Sequence, residues 1–240
     1  MTKPRLTVVI PAFNEAARLP RTLSLLAAYL DAAWPDHEIV VVDDGSTDGT
    51  REAAQASGVA GLKVLRFAPN HGKGYAVRQG MLAATGAFRL MTDADLSTPI
   101  EDLPRLEEAL ARGAEIAIGS RALPGSNVLV RQPWYREAMG RLFNRLVRLL
   151  TLPDLHDTQC GFKLFTAAAA ERTFAAVRLD GFSFDVEVLF VARRRGLVVA
   201  EVPVTWRNDL ATRVGLARGG QAFLDLLRIR LHDLRGDYRL

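Results

Sequence analysis

The stretch Phe88-Arg89-Leu90-Met91-Thr92-Asp93-Ala94-Asp95 is an apolar run that ends in two carboxylates one residue apart. A β-strand points residues i and i+2 to the same side, so a strand ending here aims Asp93 and Asp95 at one point. Hard divalent cations such as Mg²⁺ or Mn²⁺ take carboxylate and phosphate oxygens in preference to sulfur. A cation held this way commonly bridges to a substrate diphosphate. The pair is therefore predicted to be both the metal site and part of the catalytic centre.

Upstream of this run, apolar strands alternate with helical stretches. Leu6–Pro11 reads as a strand, Ala16–Ala33 as a helix, Glu38–Asp43 as a strand, Gly49–Ser57 as a short helix and Leu62–Phe67 as a strand. Gly72–Ala84 is predicted helical, Phe88–Thr92 strand, Pro99–Arg112 helical and Glu115–Gly119 strand. Nearly continuous apolar strands joined by helical crossovers predict a mostly parallel, Rossmann-like α/β sheet with helices on both faces. Ligands of such sheets bind beyond the carboxyl ends of the strands. Pro11, Asp43, Asp44, Asp93 and Asp95 all fall at such ends, which predicts one cleft.

The second half is less regular. Gly119–Val130 reads as a loop and Pro133–Thr151 as an amphipathic helix whose apolar residues Met139, Leu142, Phe143, Leu146 and Leu150 recur at helical spacing. Leu152–Gly161 is predicted to be a loop, Phe162–Thr166 and Leu197–Thr205 strands, and Phe184–Arg195 and Gly219–Asp233 helices. With no repeat and no convincing linker, residues 1–240 are read as one domain with two halves, 1–120 and 121–240.

The chain has 240 residues, 49% of them hydrophobic, enough for one sizeable core. Its single cysteine, Cys160, excludes an internal disulfide and fits a reducing compartment. No apolar run approaches the ~18–20 residues of a membrane span, and no leader is read at the N-terminus. The net charge is +4, and arginines dominate from Arg131 to Arg148, where the one acid is Glu137. A basic face meets phosphates or an anionic lipid surface. Nucleic acid is disfavoured as a partner because the aromatics are not interleaved with the basic residues.

Five further segments bear chemistry. In Pro11-Ala12-Phe13-Asn14-Glu15, Pro11 ends the ladder, Phe13 can stack on a base, and Glu15 can hydrogen-bond a nucleoside. In Val42-Asp43-Asp44-Gly45-Ser46-Thr47-Asp48-Gly49, Asp44 is predicted to accept a base N–H. Asn70-His71-Gly72-Lys73-Gly74 sets glycines and Lys73 before a helix N-terminus, which suits phosphates, although the P-loop spacing is absent. Gly119-Ser120-Arg121 puts Arg121 where it can grip a phosphate bidentately. In Asp157-Thr158-Gln159-Cys160-Gly161-Phe162-Lys163, Asp157 can orient an acceptor or take a proton.

Together these motifs resemble the family 2 glycosyltransferases of GT-A fold. The segments Asn70–Gly74, Asp93-Ala94-Asp95-Leu96-Ser97-Thr98-Pro99, Gly119–Arg121 and Asp157–Lys163 look most like the polyprenyl-phosphate sugar transferases, the dolichyl-phosphate β-glucosyltransferases especially. The resemblance implies that Pro11, Phe13, Glu15 and Asp44 hold the nucleoside, and that Asp93 and Asp95, with Ala94 between them, hold metal and diphosphate. It further implies that Arg121, Arg207 and Arg213 bind phosphates. Mannosyl relatives often carry Gln where this chain has Ser97, which favours a glucosyl donor. The expected activity is metal-dependent inverting transfer of a sugar, chiefly glucose from UDP-glucose, to a polyprenyl phosphate. The expected place is the cytoplasmic side of the cell membrane, peripherally bound through Pro133–Thr151, with Trp134 and Tyr135 near its start. Transfer from GDP-mannose, transfer to a soluble hydroxyl acceptor, and a catalytically silent binding module are the alternatives.

Overall fold

A computed structural model describes residues 5–130, 134–208 and 217–239, with the side chains of 134–137 and 217–220 outside the description. Seven strands form one sheet: β1 (Leu6–Ala12), β2 (His37–Asp44), β3 (Leu62–Phe67), β4 (Phe88–Met91), β5 (Ile116–Ser120), β7 (Lys163–Thr166) and β8 (Val199–Pro203), in the order β3-β2-β1-β4-β7-β5-β8. β1 pairs in parallel with β2 and β4, β2 with β3, and β5 with β8. Pro11 does not end β1. It stays in register with Val42, and the strand runs on to Ala12.

The side-chain alternation of the strands supplies two cores. Val8, Ile10, Ile39 and Val41 face α1 (Leu19–Ala33) and α4 (Leu103–Ala111), meeting Leu19, Leu23, Leu26, Leu30, Leu103 and Leu106, all fully buried. The α1 leucines recur at i, i+4, i+7 and i+11, the spacing of one helical face. Val9, Val40 and Val42 face the other way, against Ala76, Val77 and Met81 of α3 (Lys73–Ala83). That core continues through α6 (Ala167–Phe174) and α7 (Phe184–Arg194) to Phe143 and Val147 of α5 (Trp134–Leu150) and Leu226 and Ile229 of α8 (Ala217–Leu234). Both sheet faces are covered, as the unbroken apolar strands require.

Four elements differ from the sequence expectation or add to it. β7 is antiparallel to both β4 and β5. After α5 the chain returns to the sheet along the rim where the parallel strands end, so β7 starts there, with Lys163 beside Met91. The loop expected at Gly119–Val130 contains β6 (Asn127–Val130), which pairs with β9 (Thr205–Arg207) in a two-stranded ribbon. The strand expected over Leu197–Thr205 is thereby split at Val204, just after Pro203. α6 was not anticipated; Thr166 caps it by accepting the Ala169 N–H at 3.2 Å. A short helix, α2 (Thr50–Gln55), follows β2 as expected.

Candidate active site

Beyond β4 the chain turns back at once. The Leu96 N–H reaches the Asp93 carbonyl at 3.1 Å, with Leu96 at φ 45°, and the Ser97 N–H reaches Asp95 Oδ1 at 2.9 Å. A left-handed conformation in a branched residue costs roughly 1–3 kcal/mol and persists only where its surroundings impose it. Here it holds both carboxylates at the strand end. Asp93 lies against Gly161, where any Cβ would overlap its carboxylate. Its Oδ1 pairs with Lys73 Nζ at 2.6 Å. Burial raises the Asp95 carboxyl above the usual range, and the charge of Asp93 raises it further. Burial would lower the Lys73 ammonium, but Asp93, Asp185 and Asp95 outweigh it and raise it.

Lys73 opens α3, and its position is set by Asp44. The Asp44 carboxylate accepts the N–H groups of His71 (3.0 and 3.1 Å) and Gly72 (2.7 Å) and the Asn70 side-chain amide (2.9 Å). Gly72, at φ +118°, and Gly74 press on the 179–181 backbone, where the Asp180 carbonyl accepts the Gly74 N–H at 2.8 Å. The base-accepting role expected of Asp44 thus meets a carboxylate already spent on the Asn70–Gly72 loop. Asp43 is the contrasting neighbour. Its Oδ1 accepts the Ser46 N–H at 2.9 Å, while Oδ2 is buried without a hydrogen bond, 3.8 Å from Arg66 Nε.

Phe13 projects from the same rim, 45% exposed. Asn14, at φ 56°, fixes the turn that carries it: its N–H donates to Ser46 Oγ and its side-chain carbonyl accepts the Thr47 N–H, each at 2.9 Å. The Glu15 N–H donates to Thr50 Oγ1 at 2.8 Å, and its carboxylate pairs with Arg18 at 2.6 Å.

Arg121 follows β5, but its bidentate face is turned to Asp157 rather than free for phosphate. Nε and Nη2 donate to Asp157 Oδ2 and Oδ1 at 2.6 and 2.8 Å, and the Arg121 backbone N–H adds 2.9 Å to Oδ2. Burial pushes the Asp157 carboxyl up, yet Arg121 outweighs it and holds it below the usual range. A carboxylate clamped this way is a poor proton acceptor and a good organiser. The Arg121 guanidinium also lies 5.2 Å from the Trp206 ring centroid. Arg207 keeps an exposed side chain, and its backbone N–H donates to the Ser97 carbonyl at 2.8 Å, tying β9 to the acid loop. Arg213 lies outside the described residues.

The structure therefore brings Lys73, Asp93, Ala94 and Asp95 together, with a small pocket lined by Thr92, Asp93, Ser97, Thr98, Gly161, Phe162 and Trp206. Sequence reasoning missed two participants. Gly161 was quoted only as part of a motif, and its signal was a glycine between two buried residues, Cys160 and Phe162, just ahead of a strand. Asp185, in the first turn of α7, is buried against Lys163 Nζ at 2.5 Å. In sequence it reads only as an acid favourable to a helix N-terminus.

The sequence model of glycosyl transferase family 2 matches residues 7–174. Among relatives, the dolichyl-phosphate β-glucosyltransferase of Homo sapiens is 36% identical, over 98% of this chain and 78% of that protein. The Saccharomyces cerevisiae dolichyl-phosphate β-glucosyltransferase is 32% identical, over 98% and 76%. Among solved structures, mannosyl-3-phosphoglycerate synthase from Rubrobacter xylanophilus superposes with TM-score 0.71 at 19% identity, over 99% of this chain and 76% of that one. Glucosyl-3-phosphoglycerate synthase from Mycobacterium tuberculosis, solved with Mn²⁺ and UDP-glucose, superposes with TM-score 0.68 at 20% identity, over 95% and 78%. The fold is GT-A, and the chain belongs to glycosyl transferase family 2 as a glycosyltransferase related to the dolichyl-phosphate β-glucosyltransferases.

Proposed function

We propose that this enzyme transfers glucose, with inversion, from UDP-glucose to a polyprenyl phosphate at the cytoplasmic surface of a membrane. The observation that carries the reading is the Asp93–Asp95 pair at the end of β4, in a chain that aligns along nearly its whole length with glucosyltransferases named for dolichyl phosphate. Phe13 and Glu15, with Pro11 behind them, offer a nucleoside face, and the orphaned Asp43 Oδ2 suits a base N–H better than Asp44 does. Lys73, at the start of α3, meets the diphosphate. Arg207 and Arg213 are proposed to meet phosphates of donor or acceptor.

Mg²⁺ or Mn²⁺ fits the acid pair. Two crowded carboxylates, one of them raised by burial and then by the other's charge, gain from a cation. Among the described residues no cluster of three or more His, Cys, Asp or Glu could hold a metal. That matches a cation held by one or two carboxylates with the rest of its shell from substrate phosphates and water. When bound, the ion offsets charge growing on the departing diphosphate.

The acceptor oxygen attacks the anomeric carbon opposite the leaving group; the bond from that carbon to the diphosphate oxygen breaks, and UDP leaves. A phosphate monoester with a second pKa near ~6 is largely dianionic at neutral pH, so no strong base is needed. This agrees with Asp157 being locked to Arg121. UDP release tested with a short prenyl phosphate, with 3-phosphoglycerate, with soluble sugars and with no acceptor checks the reading. Prenyl phosphate is expected to stimulate release most. Equal stimulation by a soluble hydroxyl acceptor, or a preference for GDP-mannose, would replace it.

Docking to the membrane is proposed for α5 and α8 together. Phe143 and Phe223 join them edge to face, with centroids 5.6 Å apart. On α8, Leu224, Leu227, Leu231 and Leu234 recur at helical spacing and are 45% to 77% exposed, on the side away from buried Leu226 and Ile229. Leu142 and Leu149 of α5 are likewise exposed, beside the exposed Arg141, Arg145 and Arg148. An apolar stripe flanked by arginines suits an interface with anionic headgroups. No helix among the described residues is long and apolar enough to cross a membrane.

A further inference from the structure

Lys73 Nζ sits 2.6 Å from Asp93 Oδ1, one of the oxygens on which a divalent cation at this site would depend. The lysine is not free to drift. Gly72 and Gly74 on either side of it are pinned to Asp44 and to the Asp180 carbonyl, and Phe184 lies beneath its ammonium at 6.0 Å. Behind it stands a second acid, Asp185, buried and bonded to Lys163 Nζ at 2.5 Å; Lys163 in turn donates to the Cys160 carbonyl at 2.5 Å, next to Gly161. Lys73 is thus paired with Asp93 at the metal position and also feels the charge of Asp185, which is buried and already bonded to Lys163. The charges bear this out. Lys73, Lys163 and Arg121 contribute three positive charges, and Asp93, Asp95, Asp157 and Asp185 four negative ones. One carboxylate charge is left over for a cation, and the site turns positive once a divalent ion arrives.

Resting on the metal-dependent reading above, we infer that Lys73 is an internal stand-in for the cation: it occupies Asp93 until a metal–nucleotide diphosphate arrives, then yields Asp93 to the metal and pairs with the diphosphate, with Asp185 as its standing counter-charge. The arrangement makes metal and nucleotide bind cooperatively, because the diphosphate that ligates the cation also draws Lys73 off its ligand. It also offsets part of the charge of the two crowded carboxylates when no donor is present. Lys73 is then a switching residue for donor loading in addition to any phosphate contact.

The test is Mn²⁺ binding by electron paramagnetic resonance, with and without UDP, on the full chain and on Lys73→Met. Lys73→Gln repeats the measurement in case methionine disturbs the packing on Phe184. In the wild type, UDP should strengthen Mn²⁺ binding markedly. In the variants Mn²⁺ alone should bind about tenfold tighter, since a competing charge has gone, and the factor by which UDP improves Mn²⁺ binding should shrink by about tenfold, by the same linkage. A lysine that is only a nearby charge would change both affinities and leave that factor as in the wild type, which would overturn the inference. Unchanged Mn²⁺ affinity without UDP would overturn it too. Failure of the wild type to bind Mn²⁺ even with UDP would instead remove the metal-dependent reading on which the inference rests.

Discussion

Asp43 and Asp44 are adjacent, equally buried and chemically alike, yet the structure gives them different work. Nothing in Val42-Asp43-Asp44-Gly45 tells which carboxylate is committed, because the partners of Asp44 come from residues 70–72. Asp44→Asn removes a carboxylate that collects several N–H donors. It should destabilise the fold by on the order of 2 kcal/mol, and thermal unfolding checks this. Asp43→Asn should leave the melting temperature nearly unchanged, yet raise the KM for UDP-glucose about tenfold with a smaller change in kcat, since the base contact is made in ground and transition states alike. The reverse assignment of effects would return the base contact to Asp44. Away from the site, Glu38 accepts from Thr7, Thr85 and Lys63. Burial would raise its carboxyl, but Lys63 and the two threonines bring it down to about 2. A depressed carboxylate stabilises the fold above its unfolded pKa and loses that contribution as pH falls through the folded value. The wild type should therefore shed on the order of 1–2 kcal/mol between about pH 4.5 and 2 that Glu38→Gln does not. Chemical denaturation across that range measures it, and identical pH profiles would contradict the assignment.

At the scale of elements, the sequence was legible wherever a strand or helix carried its own period. β1 and β2 carry runs of Val, Ile and Leu, β4 reads as a strand through Phe88, Leu90 and Met91, and α1 repeats leucine on one face; each appears close to where it was read. β6 and β9 were not legible. Each is only three or four residues long and half exposed, and each exists because the other is there to pair with it. The direction of β7 was equally hidden, because antiparallel pairing is set by the path of residues 151–162 and not by the strand's own residues. α5 shows both readings of its apolar residues. Phe143 and Val147 pack on the core, whereas Met139, Leu142 and Leu149 stay exposed. The exposed stripe of α8 escaped the sequence reading because leucines on two faces look alike until one face is buried. Leu227 and Leu231 replaced by Ser, or Arg141, Arg145 and Arg148 replaced by Glu, should weaken sedimentation with anionic liposomes severalfold; high salt should mimic only the arginine set. Activity on a short, soluble prenyl phosphate should be kept. Loss of that activity along with liposome binding would assign these residues to the fold or the site.

For the molecule as a whole, a parallel sheet predicts a cleft at the carboxyl ends of its strands, and there the carriers of the chemistry meet. Residues as far apart as Phe13, Asp43, Lys73, Asp93, Gly161 and Asp185 were separable into site and scaffold only in part. Asp93 and Asp95 announced themselves by spacing, and Lys73 by its glycines. Gly161 acts through its contact with Asp93, and Asp185 through its bond to Lys163 and its charge on Lys73, none of which a local pattern records. The central claim is that the β4 acid pair supports glucosyl transfer from UDP-glucose to a polyprenyl phosphate. The direct measurement is radiolabelled glucose passing from UDP-glucose into a short prenyl phosphate with Mg²⁺ or Mn²⁺, for the wild type and for Asp93→Asn and Asp95→Asn. The account predicts lipid-linked glucose from the wild type, silenced by EDTA and restored by either metal, and a loss of about 10²–10³-fold or more in each variant with the fold intact. Full transfer in EDTA, or wild-type rates from either variant, would contradict it.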